Sequence, residues 1–233
     1  MDTNEFSVVV ASEAHAGYAE QICEEMAESA KARGTGIARR SHEYVANKMQ
    51  EGKAVIALHK DGTWAGFCYI ETWSHGQFVA NSGLIVNPVF RKCGLAKAIK
   101  KCIFELSRKK YPDAKIFGLT TGLAVMKINS ELGYEPVTYS ELTQDENFWK
   151  GCQSCVNYDI LTAKGRKNCL CTAMLYDPVE KQKEIEEKQR LLELEMTKSQ
   201  RKTSLFERIE EKIRGSAKVL LSFILLIPKL LHF

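Results

Sequence analysis

The fold is decided by the stretch Gly83-Leu84-Ile85-Val86-Asn87-Pro88-Val89-Phe90-Arg91-Lys92-Cys93-Gly94-Leu95-Ala96. Its first half is an apolar run typical of a buried strand, and residues 95–109 carry apolar side chains at helical spacing. A strand, a turn with a glycine and a helix N-terminus form an anion site, because the first N–H groups of a helix lack intrahelical partners and lie at the positive end of its dipole. We predict that this site holds a pyrophosphate through Arg91, Lys92, Cys93, Gly94, Leu95 and Ala96.

The same loop matches the pattern Arg/Gln-x-x-Gly-x-Gly/Ala and thereby resembles the acyl-CoA pyrophosphate loop of the GNAT N-acyltransferase superfamily. An ordinary strand-to-helix turn is the alternative interpretation. The resemblance extends over roughly residues 6–140. It implies an α+β fold, in which a mixed, mostly antiparallel sheet is flanked by helices and its central strands splay to admit the pantetheine arm. Acetyl-CoA, or another short acyl-CoA, would be the co-substrate, with main-chain groups of Leu84, Ile85 and Val86 at its thioester carbonyl.

A second segment carries a narrower resemblance. Ile116-Phe117-Gly118-Leu119-Thr120-Thr121 is typical of a buried strand, and Leu132-Gly133-Tyr134-Glu135-Pro136-Val137 follows a short helical stretch. This segment resembles the acyltransferase domain of bacterial N-acetylglutamate synthases, where a similar Leu-Thr-Thr strand leads to Gly-Phe-x-Pro-Val. The resemblance implies transfer to the α-amino group of glutamate, which feeds arginine biosynthesis.

The order of predicted elements agrees with this fold. A strand at residues 6–10 precedes two helices, at residues 13–32 and 41–50, and three strands follow at residues 54–59, 64–72 and 78–86. We predict four segments: a GNAT acyl-CoA-binding catalytic domain over residues 1–145, a cysteine-containing hairpin extension over 146–176, a charged helix over 177–214 and an apolar C-terminal segment over 215–233.

Acyl transfer needs a base for the amine and an acid for the departing thiolate. Glu71 ends a central strand, where the resemblance implies a carboxylate that deprotonates the amine through water; a solvated glutamate is the alternative. Many relatives carry the acid, a tyrosine, at a position that is Asn129 here. Ser130 and Tyr134 are the remaining candidates, and Tyr134 is equally well read as a packing aromatic.

The loop between the first two helices lies over the acceptor in this superfamily. Arg39 and Arg40 follow Gly34-Thr35-Gly36 in that loop and offer guanidinium groups suited to carboxylates. We predict that they bind a glutamate-like acceptor, with plain surface charges as the alternative.

Four cysteines form a separate cluster in the sequence. Cys152 and Cys155 are spaced C-x2-C, and Cys169 and Cys171 follow as C-x-C. Four thiolates at such spacing can bind a structural Zn²⁺ tetrahedrally, although the second pair is tighter than usual. Unligated or redox thiols, and disulfides, are the alternatives.

Charge and hydropathy limit the remaining choices. A net charge of +4 suits an anionic ligand and does not predict a nucleic-acid-binding protein. The acidic N-terminus does not predict a secretion signal, and eight cysteines without one favour a reducing, cytoplasmic location. The apolar residues 219–233 fit a docked helix, an interfacial membrane anchor or an artefact of the 3′ end of the gene. A homodimer is also compatible with the sequence.

We therefore predict an acyl-CoA-dependent N-acyltransferase, most simply an N-acetyltransferase, that acts on a small amine such as glutamate. Two alternatives stay open. One is acetylation of a protein N-terminus or lysine, and the other is a non-catalytic acyl-CoA-sensing or scaffold protein, which the absence of the usual tyrosine acid favours.

Overall fold

The computed structural model describes residues 5–34 and 40–230, which divide into two compact units between Lys181 and Gln182. The first unit contains seven strands and six α-helices and begins the seventh helix. The elements are β1 (Phe6–Val10), α1 (Ala19–Ala32), α2 (His42–Gln50), β2 (Ala54–His59), β3 (Trp64–Trp73), β4 (Phe78–Val86), α3 (Leu95–Lys110), β5 (Lys115–Thr120), α4 (Leu123–Glu131), β6 (Glu135–Val137), α5 (Glu146–Lys150), α6 (Tyr158–Ala163), β7 (Thr172–Tyr176) and α7 (Pro178–Leu230).

The strands form one sheet in the order β1-β2-β3-β4-β5-β7-β6. Within the described residues, β4 and β5 are the one parallel pair, and every other neighbouring pair is antiparallel. The α+β fold with a mixed, mostly antiparallel sheet is therefore confirmed, and the predicted order of elements through β6 agrees with it.

The two central strands diverge soon after they meet. β4 and β5 pair at three positions, from Phe78↔Lys115 to Ala80↔Phe117. Beyond them β4 stays with β3 up to Val86, whereas β5 continues along β7. We call the gap between residues 81–86 of β4 and residues 118–120 of β5 the β4–β5 opening. It confirms the predicted splay of the central strands.

Helices cover the two faces of the sheet. On one face α1 and α2 contribute Ile22, Met26, Val45 and Met49 to a core with alternate residues of β2 and β3. On the other face α3 contributes Leu95, Ile99 and Ile103 to a second core with Cys68, Ile70 and Val79. Ser41 accepts a hydrogen bond from the Tyr44 N–H and so caps α2 as predicted.

The predicted hairpin over residues 146–176 is wrong. Tyr158–Ala163 is a helix, whose Thr162 hydroxyl donates to the Tyr158 carbonyl one turn earlier. Thr172–Tyr176 pairs with β5 and β6 and so belongs to the main sheet. Periodicity over six residues does not separate a strand from a helix, and it does not say which strand will be the partner.

The boundaries of the later segments also differ from the prediction. The sheet extends to Tyr176, so the first compact unit continues well past residue 145 and ends at Lys181. The predicted charged helix and the apolar segment form one helix, α7, up to Leu230. Residues 231–233 of the apolar segment lie outside the described residues.

Gly83 sits in the irregular part of β4 that borders the β4–β5 opening. Its φ is +65°, and a Cβ there would lie 2.5 Å from Tyr69 Cε1. We expect Gly83→Ala to lower the free energy of unfolding by about 1–3 kcal/mol, because alanine is strained at this φ and collides with the ring. Urea unfolding measures the change. Gly17→Ala is the control, since a Cβ at Gly17 meets nothing within 4 Å; equal effects of the two changes would contradict the argument.

Candidate functional site

The predicted pyrophosphate loop has the geometry of an anion site. After β4, a short 3-10 turn over Pro88–Phe90 leads to Lys92 and Gly94, both in the left-handed region with φ of 67° and 86°. Helix α3 then begins at Leu95, with Gly94 as its N-cap and without an acidic residue in its first turn. The N–H groups of this first turn are therefore available to an anion.

Arg91 is already held by protein partners in this loop. Its Nε donates to the Val86 carbonyl at 3.0 Å, and its Nη2 donates to Glu25 Oε1 at 2.8 Å and to Ser29 Oγ at 2.7 Å. The side chain thus ties the loop to α1. Lys92 is exposed, and the Cys93 thiol donates to the Phe90 carbonyl at 2.9 Å, which closes the turn.

Leu84, Ile85 and Val86 border the β4–β5 opening. Ile85 and Val86 pair with Phe67 and Gly66 of β3, so this strand is held on one side. Pairing with β5 has ended at Ala80, which leaves the other edge of residues 84–86 facing the opening. Main-chain groups along such an edge can hydrogen-bond a ligand that enters between the strands.

A polar cluster lies on the face covered by α1 and α2. Glu71 Oε1 accepts hydrogen bonds from Arg40 Nη2 at 3.0 Å and from the Tyr44 hydroxyl at 2.7 Å. Arg40 Nε also donates to the Tyr69 hydroxyl at 3.1 Å. The Glu71 side chain is only 7% exposed, so its charge depends on these partners. We call Arg40, Tyr44, Tyr69 and Glu71 the acceptor-face cluster.

Burial and charge shift the pKa values in the acceptor-face cluster. Desolvation and the nearby Glu71 carboxylate raise the pKa of Tyr44 and of Tyr69, so both hydroxyls stay neutral. Burial would lower the pKa of Arg40, but its acidic neighbours outweigh that effect and raise it. Lys48 adds a second cation, 5.0 Å from the Tyr44 ring centre, with its pKa lowered by burial.

The sequence identified Glu71 and Arg40 but missed Tyr44 and Tyr69. A signal for both was present, because Arg40 and Tyr44 are four residues apart and Tyr69 and Glu71 alternate on one face of β3. Arg39, the other predicted acceptor contact, lies outside the described residues. Both Arg39 and Arg40 stay predictions as substrate ligands.

The segment after β6 forms a further wall of the acceptor-face cluster, which the sequence did not indicate. A 3-10 turn over Gly151–Ser154 reaches Arg40, since a Cβ on Gly151 would lie 3.9 Å from Arg40 Nη2. Upstream of it, the Thr143 and Ser74 hydroxyls are 2.8 Å apart, and the Ser74 N–H donates to Asp145 Oδ2. These contacts attach the segment to the end of β3.

The two predicted acids occupy different surroundings. Tyr134 is 2% exposed, its hydroxyl donates to Asn81 Oδ1 at 3.0 Å, and burial raises its pKa well above the usual value. A proton held so tightly is poorly suited to transfer at neutral pH. Ser130 is exposed on α4. Asn129, at the position of the usual tyrosine, is buried, and its Oδ1 accepts no hydrogen bond among the described residues. Acid roles for Ser130 and Tyr134 stay predictions.

The sequence also missed a buried lysine beneath the sheet. Lys100 of α3 is 2% exposed, and its Nζ donates to Asn81 Oδ1 at 3.2 Å. Asn81 Nδ2 donates in turn to the Ser107 hydroxyl at 2.8 Å. The available signal was the spacing of Lys100, Ile103 and Ser107 at i, i+3 and i+7, which places the lysine on the core face of the helix. We call Asn81, Lys100, Ser107 and Tyr134 the Lys100 cluster.

Cys152, Cys155, Cys169 and Cys171 are brought close together. Burial and the neighbouring thiols raise the pKa of Cys152 to about 11 and that of Cys171 to about 12. Within residues 5–34 and 40–230, however, no three or more His, Cys, Asp or Glu side chains form a group that could hold a metal ion. Zinc binding by the four cysteines stays a prediction, and metal analysis of the purified protein is the measurement for it.

In the part of the chain that the structure describes, no helix combines the length and the apolar character needed to cross a bilayer.

No protein-family model and no curated protein matches the chain by sequence. Solved structures do match it by fold. N-acetylglutamate synthase from Neisseria gonorrhoeae, in complex with coenzyme A and N-acetyl-glutamate, has a TM-score of 0.53 and 19% identity over 74% of this chain and 35% of its own. Rv2747 from Mycobacterium tuberculosis, in complex with CoA, has a TM-score of 0.52 and 17% identity over 73% and 98% of the two chains.

A third similar structure is a GNAT superfamily phosphinothricin acetyltransferase from Sinorhizobium meliloti, in complex with AcCoA. Its TM-score is 0.50 and its identity 15%, over 74% of this chain and 88% of its own. The chain spans about a third of the length of the Neisseria enzyme, since it covers 35% of it. At these identities the similarity concerns the backbone arrangement, which agrees with the strand order and the β4–β5 opening described above. The protein therefore has the GNAT fold.

Proposed function

We propose that the protein is an acyl-CoA-dependent N-acyltransferase that acts on a small, carboxylate-bearing amine, with acetyl-CoA as donor and glutamate as the preferred acceptor. The observation that carries this proposal is the β4–β5 opening in a sheet that has α3, whose first turn can bind an anion, on one face, and the buried Glu71 carboxylate on the face covered by α1 and α2. A donor and an acceptor can therefore meet from opposite faces of one sheet.

The loop supports the donor half of the proposal. The first-turn N–H groups of α3 and the exposed Lys92 would bind the pyrophosphate of CoA. The pantetheine arm would then extend along residues 84–86, whose free edge can donate to the thioester carbonyl and polarise it.

The acceptor-face cluster supports the other half. Arg40 pairs with Glu71, and Glu51, the other carboxylate near Lys48, pairs with Lys53, so Lys48 adds a positive charge that suits an anionic acceptor. Glu71 receives both of its hydrogen bonds on Oε1, and among the described residues Oε2 accepts none. Oε2 would take the proton from the amine, directly or through water.

The proposed reaction is a direct transfer. The deprotonated amine nitrogen attacks the thioester carbon, a C–N bond forms, and the C–S bond breaks with its electron pair passing to sulfur. The amine proton goes to Glu71, and the thiolate needs a proton from an acid. Cytoplasmic location, homodimer formation, structural zinc and a membrane or partner contact of the apolar C-terminal segment stay predictions beside this proposal.

Charge reversal in the loop tests the donor site. We expect Lys92→Glu to weaken CoA binding about tenfold or more, because a carboxylate beside the pyrophosphate repels it, while the exposed position leaves the fold intact. Isothermal titration with CoA measures the effect. Lys109→Glu makes the same change of charge at the other end of α3 and should bind CoA as the parent does. Equal affinities of both variants would refute the loop as the phosphate site.

A thiol-release assay with a panel of amines tests the acceptor. We expect release with glutamate, and a kcat roughly 10²–10⁴-fold lower for Glu71→Gln, because the amide cannot accept the proton. Arg40→Lys should raise KM about tenfold or more for glutamate but not for amines without a side-chain carboxylate. Arg33→Lys, at an exposed arginine just after α1, is the control.

Two results of that assay would decide against parts of the proposal. Tight CoA binding, with no release of the CoA thiol in the presence of any amine, would support a non-catalytic acyl-CoA-binding protein. This is the alternative that Asn129 favours, because it replaces the usual tyrosine. Release only with peptides that carry a free N-terminus or lysine would move the acceptor from amino acids to proteins.

A further inference from the structure

Lys100 is a buried cation that has no anionic partner among the described residues. Its one hydrogen-bond acceptor within them is the neutral Asn81 amide oxygen, and the Tyr134 ring centre lies 5.0 Å from its Nζ. Among the described residues no carboxylate pairs with it. A buried ammonium with one of three donors satisfied is costly, so the site has unused capacity to bind a negative charge.

The position of Lys100 in the fold indicates which negatively charged group it would bind. Asn81 is the first residue of β4 beyond the last pair with β5, so it marks the closed end of the β4–β5 opening. Asn81 Oδ1 accepts from both Lys100 and Tyr134, and its Nδ2 donates to Ser107, which fixes the amide at this point. Lys100 therefore lies at the end of the opening, on the α3 face from which the donor would enter.

We propose that Lys100 is the acid that protonates the CoA thiolate, in place of the tyrosine that is absent at position 129. The proposal rests on the acyl-transfer function proposed above. As the amine attacks, the C–S bond breaks and its electron pair passes to sulfur. One N–H bond of the Lys100 ammonium then breaks, its proton forms the S–H bond of CoA, and Lys100 is left as a neutral amine. After CoA leaves, Lys100 takes a proton from water.

The surroundings of Lys100 favour this role. Desolvation lowers its pKa to about 8, so it is charged at neutral pH and still able to release a proton. The titratable groups that face it are Cys68 of β3 and Tyr134, which precedes β6, with Tyr176 of β7 behind the tyrosine, and burial raises the pKa of both Cys68 and Tyr134. The residues of β1, β2, α4 and the C-cap of α4 packed on this side are apolar: Phe6, Val8, Val55, Ala57, Met126 and Leu132.

The first test measures the bound thiol and needs no turnover. Ultraviolet difference spectra between CoA and desulfo-CoA complexes, recorded against pH, give the pKa of the bound thiol. We expect the pKa of the bound thiol to lie below that of free CoA in the parent. In Lys100→Met we expect it to rise by about one unit or more, which is a tenfold or larger loss of acid strength. Lys101→Met, at an exposed lysine of the same helix, should match the parent.

The same thiol pKa in the parent and in Lys100→Met would overturn the proposal. This outcome can be distinguished from a failure of acyl transfer, because the thiol pKa is measured in the CoA complex and no amine has to react. Failure of the parent to bind CoA at all would instead overturn both proposals.

The second test separates an acid from a structural residue. We expect Lys100→Met to lower kcat roughly 10²-fold or more with little change of the KM for acetyl-CoA. The parent kcat should fall above pH 8, as Lys100 loses its proton, and this alkaline limb should be absent in the variant. Lys100→Arg, which keeps the charge but does not release a proton, should retain CoA binding and not restore kcat.

Folding of the variants is checked by the pH dependence of unfolding. Burial lowers the pKa of Lys100 from 10.5 to about 8, so the unfolded chain binds more protons between these values. The stability of the parent relative to Lys100→Met should therefore rise as pH increases from about 8 to 10.5. A variant that folds, binds CoA and keeps both the parent kcat and its alkaline limb would show that Lys100 is not the acid.

Discussion

The short parallel contact between β4 and β5 is the constraint on which the rest of the domain depends. After three residue pairs the strands diverge, and each then stays paired only on its outer edge, β5 with β7 from Ile116 to Thr120 and β4 with β3. Among the described residues, the inner edges of the β4–β5 opening have no strand partner. Their main-chain groups are therefore available to a ligand that enters between the strands.

The sheet also keeps two charged sites apart. Successive residues of a strand point to opposite faces, so Ile70 packs beneath α3 while Glu71 lies on the face of α1 and α2. Glu71 is paired there with Arg40, and Lys100 on the other face has only neutral partners. The sheet therefore prevents an ion pair between Lys100 and Glu71, which would hold the lysine charged. In the proposed reaction each of the two groups acts on its own face of the sheet.

The backbone features of the domain could be predicted from the sequence because they depend on local patterns. Each of these patterns occupies consecutive residues: the strand before Asn87, the turn at Gly94 and the apolar spacing of α3. Together they predicted the correct order of elements up to β6. β7 could not be placed in this way. Five residues of strand-like character say nothing about their partners, and those partners are some fifty residues upstream on β5.

The contacts between side chains could not be predicted from the sequence for the same reason, because they join residues from different elements. Arg91 is part of a recognisable loop, but its ion pair with Glu25 joins residues that are far apart in the sequence. Lys100 is one of several lysines in a basic helix; its spacing assigns it to the core face, and the packing of α3 against β3 and β4 determines its burial and its partners. Tyr44 is likewise identified by its contact with Glu71 across two elements. A sequence pattern assigns a residue to a face, whereas tertiary contacts decide what it meets there.

Helix α3 joins the two ends of the proposed donor site in one rigid element. Its first turn forms the loop that would bind the pyrophosphate, and its second turn carries Lys100. The helix can approach β3 closely because a Cβ on Gly66 would lie 2.5 Å from Ile99 Cδ1, the residue next to Lys100. A Cβ at this position would displace the Ile99 methyl and would lie 3.0 Å from the Ile85 carbonyl oxygen, so the glycine leaves room for this contact. The distance between the proposed phosphate site and the proposed acid is set within the helix, because both belong to its first two turns.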